Sequence, residues 1–416
     1  MPDKVPTIEI ITEREKLAAD TEQTVDVLVR IVPPAADGKA KRPRLNLSLV
    51  IDRSGSMQGR KIEEAKQAAK FCLDRLLATD RISTVIFDDE VDVLIPSQLV
   101  ENKEMLKRAI NSVQTDGSTA LHEAWVRGGL QVSQHLNGDA VNRVLLITDG
   151  QANVGETRTD RMVLQAEQLA AKGVSTSTIG IGADFNEDLL MPMAEAGGGS
   201  AWHVQEPQDM VKIFDTELQG LFTQTGHSAT LGIKPAAGVK VVDLLNDFET
   251  DSSGRYKLPN LQAGSPLEIV VRLKVPGNTG GTAGKIADFD IAYIGQDSKL
   301  PETAADRFAA TFAEAGLVSM LPQNDDVLDA VQMLINARAR REAMELMDRS
   351  DYDGAQDILK CVAHSSEAAY ARTSLPRFAE EAEDLSRQAS ALADRNSDGR
   401  TRKEMAYRRE NIRKSK

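Results

Sequence analysis

Aromatic residues make up only 4 % of the 416 residues. So few rings offer no stacking platform for single-stranded nucleic acid. A net charge of −13 excludes a nucleic-acid-binding chain on the same grounds. Cysteine is nearly absent too: Cys72 and Cys361 stand far apart, and Cys72 falls on an apolar helical stripe. That usage predicts a structural thiol in a reducing compartment, without a disulfide framework. No uninterrupted apolar run reaches the ~18 residues a membrane-spanning helix needs. The opening MPDKVPTIEI lacks the charged region and apolar core of a secretory leader. Together these absences predict a soluble, cytoplasmic protein. Catalytic sets are missing as well. His122, His135, His203, His227 and His364 show no metal spacing with one another or with cysteine, and no Ser/His/Asp or Cys/His set can be discerned. The expectation is a protein that is not an enzyme.

What is present is organisation. A chain of this length holds two or three domains. Thr7–Ile11 and Thr24–Val32 have the two-residue period of half-buried strands, and Pro33–Pro43 then breaks it as a surface linker. From Arg44 to about Thr225 strands and helices alternate, which implies right-handed crossovers and a mostly parallel sheet. Two-residue periodicity returns in Ser228–Ile233, Val239–Leu245, Leu267–Val275 and Lys285–Ile294. Neither set of strands alone can cover its apolar face, so the two are expected to pair. The predicted layout has amino-terminal β-strands over 1–43, an α/β domain over 44–226 and the remaining β-strands over 227–298. A helical region over 299–416 ends the chain. The fold class is thus an α/β doubly wound sheet inserted in an antiparallel β-sandwich-like domain, followed by helices. The helical region is read as Thr303–Leu321, Asp325–Arg349, Tyr352–His364 and Ser374–Arg395. One pair within it, Ala337–Met347 and Asp351–Leu359, is similar to a tetratricopeptide hairpin. The tail from Arg400 carries eight Lys and Arg against Glu404 and Glu410, a local charge of +6, and is expected as a solvated helix.

One stretch organises the rest. Leu45–Ser56, LNLSLVIDRSGS, is a buried-strand run that stops abruptly at Asp52, Ser54, Gly55 and Ser56. A helical stripe follows, with Ile62, Ala65, Ala69, Cys72, Leu73 and Leu76 on one face. Doubly wound sheets place ligands at such carboxyl ends of strands. The spacing Asp-x-Ser-x-Ser puts one carboxylate and two hydroxyls on a single tight loop, hard oxygen donors suited to a divalent cation. Two more loops match in order: Thr119 in DGSTALHEA, and Asp149 ending the strand-like VLLITDG. This set resembles the metal-ion-dependent adhesion site of von Willebrand factor A domains. The resemblance implies that Asp52, Ser54, Ser56, Thr119 and Asp149 hold Mg²⁺, with Mn²⁺ or Ca²⁺ as alternatives. It also implies that the ion keeps an open position for a Glu or Asp carboxylate from a partner protein. The overall layout is similar to bacterial proteins akin to calcium-activated chloride channel homologues and inter-α-trypsin inhibitor heavy chains.

Blander readings stand beside this one. Ser54 and Ser56, or Thr119, could merely cap the helices that follow them, and Asp149–Gly150 could form a turn. Asp88, Asp89 and Asp116 lie near the same loops, where a site role and a structural role fit equally. A Mg²⁺-dependent hydrolase or phosphotransferase is the rival class. A haloacid-dehalogenase-type phosphatase would need a second aspartate where Ser54 stands, and GSMQGRK does not fit the phosphate-loop spacing. A scaffold acting through its helical tail, with a structural metal, is the third reading. Asp394, Asn396, Asp398 and Gly399 imitate the start of an EF-hand, but its twelfth position is Met405.

Overall fold

The computed structural model describes residues 5–34, 42–136, 140–150, 152–182, 184–295, 298, 300–393 and 398–415. The chain divides into two compact units, one formed by Met1–Gly38 with Thr225–Lys416 and the other by Lys39–Gln224. The first piece supplies β1 (Thr7–Thr12), β2 (Lys16–Ala18) and β3 (Gln23–Val32). Most of the linker expected over Pro33–Pro43, and Asp394 and Asn396 of the EF-hand-like start, lie outside the described residues.

The inserted unit runs β4 (Arg44–Asp52), α1 (Arg60–Arg75), β5 (Arg81–Phe87), β6 (Val91–Leu99), α2 (Lys103–Asn111) and α3 (Leu121–Ser133). It continues with β7 (Ala140–Thr148), α4 (Thr159–Ala171), β8 (Ser175–Ile181), α5 (Glu187–Ala196), β9 (Gly198–Val204) and α6 (Met210–Phe222). Its six strands lie in the order β6-β5-β4-β7-β8-β9, parallel except for β6. The central strand β4 is buried on both faces, so between Leu45 and Ile51 even the interrupting polar residues Asn46 and Ser48 are buried. Leu45, Leu47, Leu49 and Ile51 pack with Ile62, Leu73, Phe214 and Leu218 of α1 and α6. Val50 faces the other way, toward Leu121, Trp125, Met162 and Leu189. From β4 the chain crosses through α1 to β5, and from β7 it crosses through α4 to β8 on the opposite side. The carboxyl ends of β4 and β7 therefore flank the point where the winding reverses, the crevice that open α/β sheets offer to ligands.

The other unit resumes with β10 (Gln224–Pro235), β11 (Lys240–Leu244), β12 (Tyr256–Lys257), β13 (Leu261–Gln262), β14 (Leu267–Val275), β15 (Ala283–Gly295) and β16 (Pro301–Ala313). Helices α7 (Ala315–Met320), α8 (Asp325–Asp348), α9 (Tyr352–Thr373), α10 (Pro376–Ala393) and α11 (Asp398–Arg413) complete it. The first and second pieces do pair: β1-β3-β14-β11 form one antiparallel sheet, with Val27 opposite Val271 and Ile31 opposite Leu267. The second sheet is ordered β12-β10-β15-β16-β2, with β13 on β10. Inward residues of both sheets, among them Val27, Val29, Ile269, Leu231, Phe289 and Phe312, share one core, as in a β-sandwich. The outer face of the first sheet is buried under α8 through Leu28, Val270, Val327 and Leu334.

Two expectations for the carboxyl-terminal region are corrected. Residues 303–313, expected as helix, belong to β16, which pairs antiparallel with β15 from Pro301 to Thr311. Apolar positions at three- and four-residue spacing predict a helix here, but Phe308, Ala310 and Phe312 alternate inward with period two, and an open sheet edge outcompetes the local pattern. The basic tail is likewise not a solvated helix. In α11, Met405 and Ala406 are buried, and two of its cations meet acids brought from elsewhere, Arg402 with Asp348 and Arg408 with Glu381, while its Glu404 meets Arg387 of α10. Among the described residues no helix is long and apolar enough to cross a membrane.

Candidate metal centre

Three loops meet at the reversal point, and backbone hydrogen bonds stitch them together. After Asp52 the chain turns through a single 3-10 turn, Gly55–Met57, with Met57 buried beneath it. Gly55 N–H donates to Gly117 O at 3.1 Å, and Asp116 N–H donates to Arg53 O at 2.9 Å, tying the first loop to the second. The second is tied to the third by Asn153 and Val154 N–H, both donating to Thr119 O at 3.2 Å. Arg53 holds Asp88 at 3.0 Å, and Asp88 O accepts from Ala120 N–H at 2.6 Å. Asp88 and Asp116 thus build the loops. Asp89 is exposed, and its carboxylate lies against Gly117, whose φ of +65° favours glycine.

On this frame the side-chain oxygens converge. Asp52, fully buried at the end of β4, accepts Ser54 N–H through Oδ1 at 2.8 Å and the Thr148 hydroxyl through Oδ2. Ser54 and Ser56 hydroxyl oxygens lie 3.1 Å apart. Ser56 Oγ donates to Asp149 Oδ1 at 2.7 Å. Thr119 joins them through the space over Gly150: a methyl on that Cα would stand 3.4 Å from Thr119 Oγ1 and 3.7 Å from Asp52 Oδ2. Asp52, Ser54, Ser56, Thr119 and Asp149 are therefore brought together, with Ser56 exposed and the other four buried. Three more residues take part that sequence reasoning passed over. The Lys61 ammonium pairs with Asp149 Oδ2, Thr148 holds Asp52, and Gly150 leaves the space. Thr148 and Gly150 flank Asp149 and Lys61 sits in the GSMQGRK stretch, but nothing in the sequence alone marks them as site residues. His122 Nε2 lies at hydrogen-bond distance, 2.6 Å, from Gln165 Oε1 of α4.

Burial pushes the Asp52 carboxyl up to about 6, and the charge of Asp149 adds to that, against the lowering by hydrogen bonds from Ser54 and Thr148. Among the described residues no Lys, Arg or His forms an ion pair with Asp52. The result is a desolvated acid beside a second buried acid, with one ammonium for the two. Among the described residues no three His, Cys, Asp or Glu side chains cluster as a ligand set on their own. What converges here is two carboxylates with three hydroxyls, a donor set that fits a hard, oxygen-seeking cation and does not fit a soft one.

Comparison with known proteins agrees with the fold. Residues 46–216 match the family described as von Willebrand factor type A domain. An uncharacterized protein of Synechocystis is 32 % identical over 213 residues, covering 51 % of this chain and 50 % of that one. Inter-α-trypsin inhibitor heavy chain H2 of Mus musculus is 30 % identical over 172 residues, 39 % of this chain and 18 % of the other. The chain thus spans half or less of the length of these relatives. Among solved structures, von Willebrand factor type A from Catenulispora acidiphila aligns with a TM-score of 0.70 over 93 % of this chain and 89 % of its own, at 18 % identity, a likeness of fold alone. Residues 46–216 are a von Willebrand factor type A domain.

Proposed function

We propose that the cluster holds one hard divalent cation, Mg²⁺ with Mn²⁺ or Ca²⁺ as substitutes, through Asp52, Ser54, Ser56, Thr119 and Asp149. The remaining position on the ion would take a Glu or Asp carboxylate of a partner protein. Domains of this family commonly mediate protein–protein interaction. The observation that carries the reading is a charge imbalance: Asp52 and Asp149 are both fully buried, yet among the described residues one ammonium, from Lys61, pairs with them. A buried carboxylate without a cation is costly, and a divalent ion removes that cost. Exposed Ser56 gives the cluster its opening to solvent.

The chain's own groups have distinct tasks in this reading. Thr148 and the Ser54 N–H hold the Asp52 carboxylate in one orientation. The 3-10 turn over Met57 fixes Ser54 and Ser56, and the bonds from Asn153 and Val154 fix Thr119. The bound cation would supply charge and a binding position, not a nucleophile. Hydroxyls are neutral donors, so such an ion stays electron-poor and draws a carboxylate strongly. Asp52→Ala and Asp149→Ala are expected to abolish metal-dependent partner capture in pull-downs while leaving the circular dichroism spectrum unchanged. Capture at undiminished strength in EDTA overturns the reading.

Lys61 also favours one alternative, because a lysine beside strand-end aspartates is what a phosphotransferase site would need. Its ammonium is already paired with Asp149, which weighs against a free phosphate contact. Turnover of generic phosphoesters with Mg²⁺, lost in Asp52→Asn, would favour the enzyme. The scaffold reading is separated by removing the helices alone. That cut belongs after Ala313, because an earlier one removes a strand of the sandwich. A cytoplasmic location is proposed from the two free cysteines, buried Cys72 and exposed Cys361. Fractionation of the native host checks it.

A further inference from the structure

Asp149 already has a counter-charge, and the chain itself provides it. Lys61 is the second residue of α1, at the helix end where the backbone dipole disfavours a cation. Its ammonium nevertheless reaches Asp149 Oδ2, while Ser56 holds Oδ1 at 2.7 Å. The Asp149 side chain is 0 % exposed and that of Lys61 is 26 % exposed, so the pair is sheltered from solvent screening on its acidic side. Among the described residues Asp52 has no such ion pair. The two acids of one centre are thus treated differently.

We propose that Lys61 is the built-in counter-ion of the metal centre, and that it makes cation retention depend on a partner's carboxylate. The inference rests on the metal-centre reading above. Two carboxylates carry −2 and would neutralise a divalent ion by themselves. With Lys61 in place the protein contributes −1, so the loaded centre carries a net +1. A fixed ammonium against one ligand repels the ion and weakens its hold. The same excess charge attracts one more carboxylate, which restores neutrality. Metal and carboxylate therefore promote each other's binding, and by linkage each does so to the same extent. Loss of the partner would release the ion, and the centre would return to the Lys61–Asp149 pair.

The test uses the full chain with Mn²⁺ alone, titrated by calorimetry, with and without acetate as the carboxylate probe. Lys61→Met and Lys61→Gln remove the charge; Lys61→Arg keeps it. The neutral variants are expected to bind Mn²⁺ at least tenfold more tightly than the wild type, with Lys61→Arg close to wild type. Acetate is expected to tighten Mn²⁺ binding in the wild type and to do so less in the neutral variants. In EDTA the neutral variants are expected to melt below the wild type, because Asp149 loses its counter-charge. This last readout stands even where metal binding is weak. Equal Mn²⁺ affinity in the wild type and both neutral variants overturns the role of Lys61 and leaves the metal centre standing. Acetate tightening of the same size in all chains overturns the coupling. No Mn²⁺ uptake by any chain overturns the metal-centre reading and this inference with it.

Discussion

Gly150→Ala separates the metal centre from the fold that carries it. The backbone permits alanine, since Gly150 does not adopt a left-handed φ. The added methyl would meet Thr119 Oγ1 at 3.4 Å and Asp52 Oδ2 and Thr119 Cγ2 at 3.7 Å, ordinary contact distances that displace nothing. Replacing glycine at a compatible position stabilises by ~0.4–1 kcal/mol through the unfolded chain. The midpoint of thermal unfolding should therefore move by no more than about 4 °C. Yet the methyl fills the space between two of the five oxygen side chains, where a cation or its water would need room. Losing one charge-assisted contact is worth ~1.5–3 kcal/mol, about ten- to a hundred-fold in affinity. Calorimetric titration with Mn²⁺ and a melting curve on the same sample read both quantities. An alanine variant that melts like the wild type and binds Mn²⁺ equally well would refute the placement of the ion over Gly150.

Other consequences concern the parts that hold the site and the tail. Arg143 and Glu217 form a buried pair at 2.9 Å that fastens α6 to β7, with Ser177 and Trp202 also donating to Glu217. Arg143→Met strands the Glu217 charge and should cost about 3–5 kcal/mol in urea unfolding, with Arg143→Met/Glu217→Gln recovering much of it; a single-variant loss under ~1 kcal/mol would contradict this. In α11, burial alone would raise the Glu410 carboxyl, but Lys414 and Arg413, aided by Arg409, hold it down to about 2 from an ordinary 4.5. A depressed acid stabilises the folded state above its unfolded pKa, and that stability is lost as pH falls from about 4.5 to about 2. The contribution is ~1–3 kcal/mol at neutral pH. Glu410→Gln should thus unfold more easily at pH 7, with the difference from wild type vanishing near pH 2. A difference that persists unchanged at pH 2 would contradict the ion-pair account.

Much of this arrangement was legible because burial writes itself into the sequence. β4 is sandwiched by helices, so Leu45–Ile51 is apolar but for Asn46 and Ser48, and Asp52 marks where the sheet stops. β5, β8, α5 and β14 begin and end where their periodicity does. What could not be read depends on partners distant in the chain. Whether 303–313 is helix or strand is decided by the free edge of β15, 11 to 28 residues upstream in register. The basic tail looked solvated because its acids, Asp348 and Glu381, are elsewhere in the sequence and nothing local marks them. At the site, the five oxygen side chains follow strand ends and could be named, whereas Lys61 and Thr148 could not. A lysine on a helix is ordinarily a solvated charge, and only the three-dimensional approach to Asp149 distinguishes this one.

The most direct measurement is an anomalous difference map from crystals grown with Mn²⁺. A single strong peak among Asp52, Ser54, Ser56, Thr119 and Asp149 is the predicted result. Featureless density there, with the Lys61–Asp149 pair and the Ser56 hydrogen bond intact, would contradict it.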